Sequence, residues 1–379
     1  MGKRWLLNGA KQQLRSEDCE VPGIQDGKVR IWIAYSGVCH SDVHMKNDVK
    51  GRNRESLGYY LSKQFNKSEE NFNKIVLGHE ISGYVDEIAA DLDPRSLSFA
   101  KGDRVVIYPY FGCQKCGSCK ANLNNTCQDP GMFFYAAGLG PFSPGGYQTH
   151  LLVDPKWLYK VPDSIPLDVA CLLACSGGTA YAAIDKLQES IDFGVAIQGK
   201  ARILIIGAGG LGLWGIKLAK IIHGNNVELI AADLDKVKVA VAKKYGADVG
   251  VVWPRGATEE ENVQAVIKDG QVHGIIDFVG FSSSISTAVK CLCRNGVLVI
   301  AGLAGGQINE PEDMTVLLQK SIRGCAIFSP KQFTELLSLV EKEKISYPDI
   351  THYPLDKVND VLDMLEKGLV TGRAVIKQE

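Results

Sequence analysis

Gly207-Ala208-Gly209-Gly210-Leu211-Gly212 follows a continuous apolar run, Ala201–Ile206, and opens a stretch of helical apolar spacing, Leu211–Ile222. An uninterrupted apolar run suits a strand buried on both faces, which calls for a parallel sheet covered by helices. Glycines at 207, 209 and 212 permit a tight strand-to-helix turn and a close backbone approach to a ligand. The helix that starts near Gly210 and Leu211 offers unpaired amides and a positive dipole end to an anion such as the pyrophosphate of a dinucleotide. The spacing alone is a weak signal; the strand before it and the helix after it supply the context it needs.

The same alternation continues downstream. Val227–Ala232 reads as a second buried strand, Asp235–Tyr245 as a helix, Gly274–Val279 as a strand, the segment from Ser283 as a helix and Gly296–Ala301 as a strand. Strands and helices in turn imply an α/β region with a doubly wound parallel sheet. Asp233 ends the second strand about 20 residues past the glycines, where a carboxylate accepts from ribose hydroxyls and repels a 2′-phosphate, so NAD is expected rather than NADP. Lys238, a helical turn further on, is within range of the same ribose, although a solvated surface lysine is the simpler reading. No Gly-Lys-Ser/Thr follows the glycines, which disfavours an ATPase.

Upstream the texture is β-rich. Val29–Ala34, Gly83–Ile88 and Asp103–Tyr108 alternate as strands, and Trp5-Leu6-Leu7 reads as an opening strand. From about Gln332 two helical patterns lead to a last strand, Gly372–Ile376. A chain of 379 residues exceeds one ordinary core and suits two domains. With 42 basic against 43 acidic residues, no global field favours nucleic acid or an anionic membrane surface. No span of about 18 apolar residues is expected, so neither is a membrane crossing. The apolar run after the basic start is too short for a signal peptide, and Trp5-Leu6-Leu7 fits a strand better than Gly2 fits myristoylation, so the cytosol is expected.

Eleven cysteines in an enzyme-sized chain point to metal or catalysis rather than a disulfide scaffold. Cys113, Cys116, Cys119 and Cys127 are spaced so that one tight loop, with Gly112, Gly117 and Asn122 supplying its turns, aims successive thiolates at a common point. Zinc favours such a tetrahedral cage, and four thiolates leave no open position, so this centre is expected to be structural. Lys115 and Lys120 partly offset its net negative charge. A set of unrelated buried thiols is the alternative, and the spacing makes it a poor one.

A second cluster joins Gly37-Val38-Cys39-His40-Ser41-Asp42-Val43-His44 to Gly78-His79-Glu80. Cys39 and His79 offer a thiolate and an imidazole, while a catalytic zinc takes three protein ligands and keeps the fourth place for water or substrate. Cys175, beside the Gly177-Gly178 pair at an apparent domain junction, is the expected third ligand; Cys171, in an apolar run, competes with it but suits a core thiol. Two thiolates and a neutral imidazole balance the zinc charge, a setting in which an alcohol loses its proton near neutral pH. Ser41, on an irregular turn, could take that proton and His44 could pass it to solvent. Asp42 and Glu80 suit outer roles, orienting His79 or tuning the charge.

With these residues the chain resembles the zinc-dependent medium-chain alcohol dehydrogenase family over essentially its whole length. The resemblance rests on Gly37–His44, Gly78-His79-Glu80, the cysteines at 113, 116, 119 and 127, Cys175–Thr179, and Gly207–Gly212 with Asp233. It implies Cys39, His79 and Cys175 as catalytic zinc ligands, Ser41 and His44 as a proton relay, and Glu80 as a nearby carboxylate. It implies pyrophosphate contacts for His40 and Arg373 and a nicotinamide contact for Thr179. The implied fold is a GroES-like catalytic domain, residues 1–177, a Rossmann domain, residues 178–324, and a return of residues 325–379 to the catalytic domain. The implied reaction is reversible oxidation of an alcohol to an aldehyde or ketone with NAD, in a homo-oligomer, dimer or tetramer, holding a catalytic and a structural zinc in each subunit.

Two readings compete with it. One is an NADPH-preferring aldehyde or enal reductase of the same fold, which Asp233 argues against; the other is a non-catalytic binding protein, against which the intact ligand set argues. Two features depart from the family's commonest pattern. The polar segment Met45–Lys74, with an apolar centre at Leu57-Gly58-Tyr59-Tyr60-Leu61, is long enough to be a surface excursion or a lid. Tyr108-Pro109-Tyr110-Phe111, before the four-cysteine loop, is unusually aromatic for a stretch that helps line the family's substrate pocket.

Overall fold

The computed structural model describes residues 1–9, 11–48, 75–129, 144–345 and 349–378. Most of the Met45–Lys74 segment, with Tyr59 and Tyr60, lies outside the described residues.

The N-terminal alternation builds antiparallel sheet. β1 (Gly2–Leu6) pairs with β2 (Arg15–Cys19) as a small ribbon. In β3 (Val29–Gly37), Val29, Ile31 and Ile33 are buried while Arg30 and Trp32 are partly exposed, the period of two expected of a strand with one face in a core. β3 pairs with β4 (Glu80–Ile88) on one side and with β6 (His150–Val153). β5 (Arg104–Ile107) joins β4 to β7 (Leu158–Lys160).

The second region is a parallel sheet. β8 (Ala201–Ile206), β9 (Val227–Asp233), β10 (Val249–Val252), β11 (Val272–Asp277), β12 (Leu292–Ile300) and β13 (Ser321–Gly324) lie in the order β10-β9-β8-β11-β12-β13. Each pairing is parallel. All of β8 and β11 is buried, as their apolar runs require. The chain winds outward in one direction from β8 and in the other from β11, so the point between them is where an open α/β sheet binds its ligand. Leu204, Ile206, Ile230, Ile275 and Leu298 share its core.

The chain then adds the helix Pro330–Glu343, whose Ser329 and Gln332 form a capping box, followed by β14 (Ile350–Pro354), the helix Val358–Glu366 and β15 (Arg373–Lys377). β15 pairs parallel with β14 and antiparallel with β3, which returns the C-terminus to the first sheet. Leu7, Leu77, Tyr147, Val358 and Ile376 share one core there.

The chain divides into two compact units, Met1–Cys175 with Ser329–Glu379, and Ser176–Phe328. The boundaries expected from the sequence, 177/178 and 324/325, lie within about four residues of these divisions. Gly177-Gly178 does not break the backbone: Gly177 has helical angles, φ −65° and ψ −49°, inside a helical run from Leu167 to Asp185. That run also corrects the expectation of no long apolar stretch. It is long and apolar enough by composition to cross a membrane, but 89% of its apolar window is buried, as befits a core helix.

Candidate active site

Strand register delivers the first ligands. Gly37, at the end of β3, pairs with Glu80, at the start of β4, so Cys39 and His79 emerge side by side. Cys39 precedes the helix His40–Asp48, and His79 follows Gly78, whose φ of +95° turns the chain into β4. The third candidate ligand comes from the long helical run. Residues Leu173–Gly177 form a π-helical turn, a wide turn frequent at functional sites, and Cys175 lies within it. Ligand atoms of Cys39, His79, Glu80 and Cys175 all lie within 4.8 Å of one another, and all four residues are buried. Cys171 is not among them: its thiol donates to the carbonyl of Asp168 at 3.1 Å, and burial holds its pKa well above the usual thiol range.

Asp42 organises the group. One carboxylate oxygen accepts from the Gly78 amide at 3.1 Å and meets His79 Nδ1 at 3.2 Å. The other accepts from the Cys39 amide at 3.0 Å and from the Tyr147 hydroxyl at 3.1 Å. The carboxylate keeps the His79 proton on Nδ1, so the Nε2 lone pair faces the sulfurs, with Cys175 Sγ 3.2 Å away. Hydrogen bonding from the Cys175 thiol, with help from His79, holds Cys39 well below the usual thiol range, while the same bond raises Cys175.

Glu80 is pushed up to about 7 by burial, against the pull of Arg373, whose guanidinium donates to Glu80 Oε2. Glu80 Oε1 is buried without a hydrogen-bond partner among the described residues. Two thiol sulfurs, an imidazole nitrogen and a carboxylate oxygen without a partner among the described residues are a donor set that fits a zinc ion.

The rest of the expected site falls as follows. Ser41 sits in the first turn of the helix His40–Asp48, not on an irregular turn, with its hydroxyl 3.9 Å from Cys39 Sγ. His44 is exposed on the same helix, three residues on and hence on the same face. His40, the first residue of that helix, is exposed. Arg373 is 5% exposed, and its recorded partner is Glu80. Thr179 is buried in the helix Gly178–Asp185 of the second unit. Tyr108 and Tyr110 are both buried, and burial followed by the nearby Cys175 and Cys39 raises the Tyr110 hydroxyl pKa.

In the four-cysteine loop the sulfurs of Cys113, Cys116, Cys119 and Cys127 also lie within 4.8 Å of one another. Backbone amides point at them: Cys113 N donates to Cys127 Sγ at 3.3 Å, Cys116 N to Cys113 Sγ at 3.4 Å, and Gln128 N to Cys116 Sγ at 3.4 Å. The amides of Gln128 and Cys119 pull Cys116 down to about 6. This donor set fits zinc with four thiolates and no open place. The left-handed turn positions are Gly112, Gln114 and Asn122; Gly117 instead begins the short helix Gly117–Lys120.

In the second unit, Gly207, with φ +89°, follows β8 and Gly210 starts the helix Gly210–His223, with Leu211 and Gly212 in its first turn. A side chain at Gly209 would meet no atom within 4 Å, so this face of the turn is open to a ligand. Asp233 Oδ2 accepts from the Ala208 amide at 2.8 Å, joining the end of β9 to the glycine turn. Lys238 is partly buried on the helix Lys236–Lys244 beyond it.

Comparison with known proteins agrees with this geometry. Residues 25–163 match the alcohol dehydrogenase GroES-like domain, and residues 210–342 match the zinc-binding dehydrogenase family. An NAD-dependent alcohol dehydrogenase of Sulfolobus acidocaldarius is 32% identical over 99% of both chains. A probable cinnamyl alcohol dehydrogenase of Arabidopsis thaliana is 30% identical over 92% of this chain and 86% of its own length. The crystal structure of the alcohol dehydrogenase of Aeropyrum pernix superposes with a TM-score of 0.79 at 28% identity, covering 99% of both chains. Two groups able to hold a metal, an open glycine turn and these similarities lead to one assignment: the chain belongs to the zinc-dependent medium-chain alcohol dehydrogenase family.

Proposed function

We propose that the protein interconverts an alcohol and its aldehyde or ketone with NAD(H), using zinc held by Cys39, His79 and Cys175 and a second, structural zinc held by Cys113, Cys116, Cys119 and Cys127. The observation that carries this reading is the buried convergence of Cys39, His79 and Cys175 with an orphaned Glu80 oxygen beside them. When bound, zinc supplies positive charge that favours ionisation of an alcohol, and NAD supplies the acceptor for its hydride.

The chain's own residues do the rest. Asp42 holds the His79 ring in the tautomer that aims Nε2 at the sulfurs. Ser41 Oγ receives the alcohol proton, and His44, on the exposed side of the same helix, passes it to solvent. Burial of the ligand group keeps bulk water away from the charges it gathers. The glycine turn and the helix start at Gly210 hold the pyrophosphate, with Gly207, Gly209, Leu211 and Gly212 giving the backbone its close approach. Asp233, partly exposed beside Ala208, accepts from the ribose and repels a 2′-phosphate. The family resemblance supports a nicotinamide contact for Thr179 and pyrophosphate contacts for His40 and Arg373, and Arg373 also offsets the charge of Glu80.

Eleven cysteines without a disulfide suit the reducing cytosol, and the family resemblance suits a homo-oligomer, which light scattering on the purified protein reads directly. The test of the reaction is a panel of primary, secondary and aromatic alcohols with NAD, followed by NADH absorbance. Turnover on at least one alcohol, lost on zinc removal, is expected; zinc-loaded protein that turns over none contradicts the proposal.

A further inference from the structure

Tyr147 comes from neither ligand-bearing segment, yet its hydroxyl ends on the carboxylate that organises both. Its backbone is fixed on two sides: its amide donates to Leu77 O at 3.0 Å, and its carbonyl accepts from the Trp5 amide at 2.9 Å. Its ring lies against Gly78, where a Cβ would come within 2.8 Å of Tyr147 Cδ1, so the absent side chain before His79 is what lets the ring pass. The side chain is wholly buried, and so is Asp42.

A carboxylate offers about four lone-pair positions. Asp42 fills them with the Gly78 amide, His79 Nδ1, the Cys39 amide and the Tyr147 hydroxyl, at 3.0–3.2 Å. Three of those bonds go to the segments that carry Cys39 and His79; the Tyr147 bond alone comes from outside them. It opposes any swing of the carboxylate away from its place between the two ligands. A buried carboxylate deprived of one donor relaxes toward its remaining partners, because an unmatched lone pair in a dry site is costly. That relaxation would disturb His79 and Cys39 together.

We propose that Tyr147 is a positioning residue for the catalytic metal centre, holding Asp42 so that Cys39 and His79 keep the geometry that retains zinc. The inference rests on the functional reading above, since it concerns the same centre. Outer partners of metal ligands typically change metal affinity by about 10–100-fold. Tyr147→Phe keeps the ring and its packing and removes only the hydroxyl.

The test is zinc release from the purified holoprotein to an excess of chelator, followed with a zinc-indicator dye. The four-cysteine centre in the same chain serves as the internal control. Wild type is expected to release its two zincs in separate phases. In Tyr147→Phe the phase assigned to the Cys39/His79/Cys175 centre, identified by its loss in Cys175→Ser, is expected to be about tenfold faster, with the other phase unchanged. Asp42→Asn is expected to accelerate the same phase, and adding Tyr147→Phe to it is expected to cause no further change, because the hydroxyl acts through Asp42. Equal acceleration of both phases, or none, in Tyr147→Phe overturns the positioning role. If Tyr147→Phe does not fold, Asp42→Asn decides alone: no acceleration of that phase overturns the role, because the hydroxyl acts through Asp42. A wild type with no zinc at the Cys39 centre overturns the functional reading itself, and this inference with it.

Discussion

Arg373, from the strand that closes the chain, is paired with Glu80, the residue after His79, and the two side chains are 5% and 0% exposed. Removing Arg373 leaves Glu80 buried without its counter-charge, and breaking a buried ion pair typically costs about 3–5 kcal/mol. Arg373→Ala is therefore expected to lower unfolding stability by about that amount in denaturant titrations of the zinc-loaded protein. A loss below about 1 kcal/mol, the range of an exposed pair, would show that water reaches Glu80.

Asp233 is the residue proposed to set cofactor choice. Its carboxylate, partly exposed at the end of β9, accepts from the Ala208 amide through Oδ2 and from the Asp235 amide through Oδ1. Wild type should favour NAD over NADP by at least about tenfold in kcat/KM, equivalent to about 1.4 kcal/mol. Asp233→Gly should narrow that ratio while lowering activity with both, because the turn loses its tie to β9. An unchanged ratio would remove Asp233 from the ribose.

His44 lies one helical turn past Ser41 on the exposed face of the helix His40–Asp48. His44→Gln should slow alcohol oxidation most near neutral pH, with partial recovery at high pH or on adding imidazole as a free base. A pH–rate profile showing one uniform loss would mark the residue as structural instead.

His273 sets a limit on acid stability. Its Nδ1 accepts from the Arg202 amide at 3.0 Å, it is 1% exposed, and burial with the nearby Arg202 charge lowers its pKa. The unfolded chain therefore takes up a proton below about pH 6.5 that the fold refuses. Stability is present above that pH and is lost as pH falls through it toward the lowered native value. His273→Asn keeps an acceptor for the amide and cannot be protonated, so its Tm should fall less steeply between about pH 7 and pH 5.5. Equal slopes for the two proteins would contradict this.

What could be read beforehand tracks how local each signal is. β8 was legible because burial on both faces leaves an unbroken apolar run, Ala201–Ile206. The four-cysteine loop was legible because all its ligands lie in one short segment. β14 was not, since its residues, Ile350–Pro354, are mostly exposed and carry no apolar alternation. The helix at Ser41 was read as a turn for a similar reason: His40–Asp48 is nearly all polar and has no apolar stripe. Cys175 could be nominated from its neighbours, but the π-helical turn that holds it leaves no mark in a sequence where Gly177-Gly178 looks like a break. Tyr147 carried no signal at all; only the folded packing against Gly78 brings it to Asp42, 105 positions away.

Cys175→Ser bears on the whole account at once, because it removes a proposed ligand of one centre and leaves the other group intact. Zinc per chain, measured by elemental analysis alongside alcohol-dependent NADH formation and NADH binding by fluorescence, should fall from two to about one. Turnover should disappear while NADH still binds. Cys116→Ser should instead reduce the yield of folded protein, because a structural site contributes folding free energy. A Cys175→Ser protein that keeps both zincs and full turnover would contradict the account.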